Sequence, residues 1–151
     1  MRSSLSFAAA LALVPGAVSG VGPLRIDPQP LQSPECGCAL EHRVEFWNPV
    51  FTPPLLVQAP GDDASAVVRL DGADRVMAQA AGTFDLWGAP CGTPVNIRFE
   101  DGRYTAWFAG FVTRTCYGTD GCEYFGFRGR LSVVRDDGAR IARPVTGSCG
   151  C

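Results

Sequence analysis

The chain has 151 residues, 46% of them hydrophobic, and a formal net charge of −2. All 13 basic residues are arginine, and they are spread out: residues 20–94 carry nine acids against four arginines, and residues 95–151 carry eight arginines against six acids. Excesses of −5 and +2 with no run of cations are far from the clustered basic footprint of a nucleic-acid-binding protein, and no nucleic-acid partner is expected.

Residues 1–20, MRSSLSFAAALALVPGAVSG, read as a cleaved secretory signal, with Arg2 before an apolar stretch from Leu5 to Val14. Ala17-Val18-Ser19 supplies small residues at the −3 and −1 positions of a cleavage site, and Val18-Ser19-Gly20 is the neighbouring alternative. The stretch is shorter than the roughly 20 residues that cross a bilayer. The next apolar cluster is broken at Pro49, Pro53 and Pro54. A secreted or periplasmic protein without a membrane span is therefore expected. About 130 residues remain, enough for one domain with its own core.

Residues 21–35 place proline at 23, 28, 30 and 34. Each ring fixes its own φ and pushes the preceding residue toward extended conformations. This segment is an extended arm leading into a single domain over residues 36–151. From residue 41 onward apolar and polar residues alternate between Gly, Pro and Asp punctuation. That pattern predicts strands near 41–47, 54–59, 64–70, 75–80, 83–87, 95–100, 103–114, 123–134 and 139–143. DRVMAQAA at 74–81 has helix-forming composition, but Gly82 ends it early and a strand is favoured.

The clearest hairpin is VNIRFEDGRYTAWF at 95–108. A two-residue Asp101-Gly102 turn would set Phe99 opposite Tyr104, Ile97 opposite Ala106 and Val95 opposite Phe108. One face is then apolar, and the other carries Arg98, Glu100 and Trp107. Asp-Gly recurs at 71–72, 120–121 and 137–138. At 137–138 a two-residue loop would oppose Arg135 to Arg140, so a three-residue loop or bulge is the alternative. The fold expected is all-β, an antiparallel sandwich or barrel of about eight or nine strands, stabilised by disulfides.

Seven cysteines lie beyond the signal, four of them in two copies of one tripeptide, Cys36-Gly37-Cys38 and Cys149-Gly150-Cys151. In an oxidising compartment these are expected to form disulfides. Cys116 and Cys122 flank the turn-rich YGTDG and are expected to pair. A bridge between the two tripeptides would join the start and finish of the domain. Cys91 makes the number odd: it joins one of the tripeptides and leaves another thiol free, stays free itself as an inert thiol, or pairs with a second chain in a disulfide-linked dimer. The competing reading is a thiolate site for Zn or Cu built from Cys36, Cys38, Cys149 and Cys151 with His42. A single intervening glycine is, however, tighter than the usual zinc-ligand spacing.

His42 is the sole histidine, and no Gly-x-Ser-x-Gly elbow is present. A hydrolase would have to draw on His42 or on carboxylates such as Glu45, Glu100 and Glu123, whose separation alternation does not fix. Asp62, Asp63, Asp71 and Asp74 sit where turns need them and lack calcium-loop spacing. Trp107, with Arg98 beside it, and Tyr124 fall on polar faces, where they would contact sugar rings or a protein surface. The function expected is a non-catalytic binding or structural module with a protein or carbohydrate ligand and no cofactor.

Overall fold

A computed structural model describes residues 22–30, 37–42, 53–58, 65–84, 86, 88–115 and 124–150. The signal segment lies outside them, as do Cys36, Cys116, Cys122, Cys151, Glu45 and Glu123. Eight strands follow in chain order: β1 (Gly37–His42), β2 (Pro54–Gln58), β3 (Ser65–Leu70), β4 (Ala73–Ala81), β5 (Pro94–Glu100), β6 (Tyr104–Thr115), β7 (Tyr124–Arg135) and β8 (Arg140–Gly150). Each pairs antiparallel with its neighbour, and β8 returns to β1, which closes the sheet into a barrel. Closure leaves no ladder edge and settles the choice between sandwich and barrel.

Alternation in the sequence becomes an inside and an outside. Along β5, Val95, Ile97 and Phe99 are buried while Asn96 and Arg98 are exposed. β1 and β2 differ: Cys38–Leu40 and Pro54–Val57 are buried without alternation. The interior is filled by side chains, among them Phe99, Phe108, Phe127, Leu40, Met77 and Leu131. Each such burial contributes on the order of 1.5–3 kcal/mol. Apolar inside and charged outside is the reverse of the pattern of a membrane-spanning barrel.

The β5–β6 hairpin keeps the expected faces but not the expected partners. Phe99 pairs with Ala106, Ile97 with Phe108 and Arg98 with Trp107. Asp101 stays outside the loop because its Oδ1 accepts the amides of Arg103 (2.9 Å) and Tyr104 (2.7 Å). Gly102, at φ 84°, then takes the first of two loop positions. Because every pairing moves by an even number of residues, no side chain changes face. Asp71-Gly72 is the two-residue turn expected, both residues at positive φ (52° and 82°). Between β7 and β8 the three-residue loop Asp136–Gly138 is used, so Arg135 faces Ala139, not Arg140.

The expected strand at 83–87 is absent: Thr83, Phe84 and Leu86 lie in the connection from β4 to β5. Phe84 instead turns into one mouth of the barrel, with ring centroids 5.3 Å from Phe127, 5.9 Å from Phe108 and 6.5 Å from Phe99. Its alternation with Leu86 reflects burial in a plug, not membership of a ladder. The same aromatic layer depends on Gly110 and Gly129, which pair across β6 and β7. A Cβ on Gly129 would lie 2.3 Å from the Ala109 carbonyl oxygen and 2.8 Å from the Phe108 ring.

The first and last strands are joined covalently by Cys38–Cys149, 111 residues apart in sequence, with both side chains buried. The two residues face each other directly in the β1–β8 ladder. The arm residues 22–30 dock at the opposite mouth. Ile26 bridges Leu70, the Asp27 amide donates to Arg69, and the Gln29 amide donates to Pro54. Leu24, Ile26 and Gln29 are buried there.

Candidate functional site

The outer wall of β5, β6 and β7 presents Trp107, 37% exposed, and Phe111, 44% exposed. They point the same way from one strand, four residues and so about 13 Å apart. Arg98 lies directly across from Trp107, and Arg128 directly across from Phe111. Arg98 is ion-paired to Glu100 at 3.1 Å, with both side chains about half exposed, so its charge remains available to solvent. Tyr124 is also exposed, but it starts β7 at the far end of the barrel, roughly 26 Å along the strand direction from Trp107. There it receives the Arg114 guanidinium, 5.6 Å from its ring centroid. Arg98 and Trp107 are therefore brought together, and Tyr124 is separate from them. Phe111 was not singled out in the sequence; the signal that exposes it is its even spacing from Trp107 on β6.

His42 is exposed at the end of β1, opposite Val145. Cys38 and Cys149 are oxidised together, and a disulfide sulfur has no thiolate to offer a metal. Among the described residues no three His, Cys, Asp or Glu side chains are gathered around a common point. Cys91 is exposed with a free thiol in the β4–β5 connection.

The mouth opposite the disulfide gathers residues that sequence reading left scattered. Arg135, the last residue of β7, is 2% exposed. Its guanidinium donates to Asp71 Oδ2 (2.8 Å), to Asp137 Oδ2 (2.8 and 3.0 Å) and to the Gly22 carbonyl (2.9 Å). Asp71 also accepts the Arg25 amide on Oδ1 (2.9 Å) and the Tyr104 hydroxyl on Oδ2 (3.0 Å). The arm, the β3–β4 turn, β6 and the end of β7 thus meet at one carboxylate.

Burial pushes the Asp71 pKa up, but donation from the Arg25 amide, Tyr104 and Arg135 outweighs it, and the carboxyl is held below its usual range. Asp137 is held low chiefly by the Arg135 guanidinium. Tyr104 is raised, first by burial and then by the adjoining Asp71. Two further guanidiniums approach the Tyr104 ring, Arg75 at 5.3 Å and Arg103 at 5.5 Å from its centroid. A concavity of about 480 Å³ opens here, lined by Gly22, Pro23, Arg25, Leu70, Asp71, Arg75, Arg103, Tyr104 and Arg135. No local motif announces this cluster, because its members are drawn from residues as far apart as 22 and 135.

Compared with protein-family models, with curated proteins and with solved structures, the chain matches none.

Proposed function

We propose that the protein is an exported, non-catalytic binding module whose ligand, an extended carbohydrate chain, lies along the outer wall of β5, β6 and β7. The observation that carries this reading is the pairing of exposed Trp107 and Phe111 in line on β6, each with an arginine directly across from it. Aromatic faces stack on sugar rings, and guanidiniums donate to hydroxyls or carboxylates beside them. The barrel's interior supports an external site, since phenylalanine and aliphatic side chains already fill it.

Electrophoresis through gels containing neutral or acidic polysaccharides tests the reading. Retardation of the wild type, reduced about tenfold or more in affinity by Trp107→Ala or Phe111→Ala, is expected where stacked aromatics dominate binding. Melting temperature should move by only a few degrees, as for substitutions at exposed positions. A large loss of melting temperature would make Trp107 part of the core. Failure of every polysaccharide to retard the wild type would overturn the carbohydrate assignment.

A further inference from the structure

We infer that the mouth carrying Arg25, Arg75 and Arg103 is a binding site for a tetrahedral oxyanion, a phosphate or sulfate group that is either free or the terminus of a larger ligand. The site is separate from the Trp107 wall and does not depend on it. The inference rests on how the charges at this mouth are satisfied.

Four arginines and one acid, Asp71, line the concavity. Asp71 is fully engaged by Arg135, the Tyr104 hydroxyl and the Arg25 amide, and Arg135 has Asp137 as a second carboxylate partner. Counting Asp136 beside Arg103, three acids stand against four arginines at this mouth, so one positive charge is left over. Arg103 faces Asp136 across 3.9 Å, with both side chains exposed to solvent, which is a weak pairing. The Arg25 and Arg75 side chains make no ion pair among the described residues. Arg75 lines the concavity with its guanidinium against the Tyr104 ring and no carboxylate on it among the described residues. An oxyanion would supply that charge-assisted partner.

Geometry favours the same ligand. The Tyr104 ring holds Arg75 and Arg103 beside it, and Arg25 lines the same concavity from the arm, its backbone amide bonded to Asp71. Arginines lining one concavity from three elements suit an anion with several oxygens better than a single carboxylate. The neighbouring concavity of about 420 Å³ shares Arg103, Tyr104 and Arg135 but adds Glu100 and Asp136, so its charge is balanced. It offers an anion no comparable gain.

Titration calorimetry of inorganic phosphate, and separately of sulfate, into the full chain at low ionic strength tests the site. Saturable binding in the millimolar range or tighter is expected, with the two ions competing. Arg75→Gln and Arg25→Ala should each weaken it by about tenfold, the loss typical of a hydrogen bond to a charged group. Arg25 is exposed, so its replacement keeps the test valid if Arg75→Gln proves unstable. Trp107→Ala should leave phosphate binding unchanged, which separates this site from the proposed carbohydrate wall. Absence of saturable binding in the wild type, or equal affinity in Arg25→Ala and the wild type, would overturn the inference.

Discussion

The two mouths of the barrel are closed by opposite chemistry. At one, Phe84 is driven onto Phe99, Phe108 and Phe127, and the disulfide fixes β1 to β8. At the other, an arm is tied down by amide and guanidinium hydrogen bonds that converge on Asp71 and Arg135. An apolar plug needs no partner of matching charge and holds at any pH. A polar cap depends on ionisation, and here Arg25 and Arg75 beside the opening have no ion pair among the described residues. The first mouth is held by apolar contact and a covalent bond, and the second by ionised groups brought together from distant segments.

The largest expected effect breaks the apolar mouth. Phe84→Ala should lower stability by about 3–5 kcal/mol, the range for truncating a buried phenylalanine, measured by urea unfolding. Next comes the clasp. Replacing Cys38 and Cys149 together with alanine removes a constraint on a loop of more than 100 residues, worth about 2–5 kcal/mol in unfolding measurements. Neither change should alter how stability responds to pH, since neither touches an ionised group.

Acid sharpens the contrast from the other side and has the smallest effect. The Asp71 carboxyl is held below 3.8 in the folded chain, so the unfolded chain takes up its proton first as pH falls. The stabilisation is present above about pH 4 and is lost as pH drops through the lowered folded value. Melting temperature should decline by a few degrees between about pH 6 and about pH 3. Asp71→Asn should flatten that decline, whereas Phe84→Ala should preserve it. Equal slopes in Asp71→Asn and the wild type would remove the polar mouth's dependence on this carboxylate.

The contrast also explains what was legible in the sequence. Strand faces were readable because period-two patterning is local: Val95, Ile97 and Phe99 declare one side of β5 without reference to any other strand. Partners were less so. The slip at Asp101 turned on whether an aspartate side chain caps the turn from before it or sits within it, and Asp-Gly is compatible with both. Phe84 was misread because a plug and a short strand share the same alternation. Joining the two cysteine tripeptides was legible from their positions at the limits of the domain. The polar mouth was invisible for a different reason. Arg25, Asp71, Arg75, Tyr104 and Arg135 are each unremarkable in their own segments, and only closure of the barrel makes them neighbours. The outer wall lay between these cases: Trp107 and Arg98 were found by face, while Phe111, beyond the hairpin whose faces were read, was not.

Pairing of β1 with β8 has a consequence in time. A ladder that closes on itself through its first and last strands cannot be completed until the final residues of the domain are available, and the Cys38–Cys149 bond spans 111 positions. Contacts of such long sequence separation make folding slow. Until β8 arrives, β1 carries unpaired amides and carbonyls able to recruit a strand from another chain. The barrel is thus free of edges only once its two ends have met, and any interval before they meet exposes the chain to aggregation.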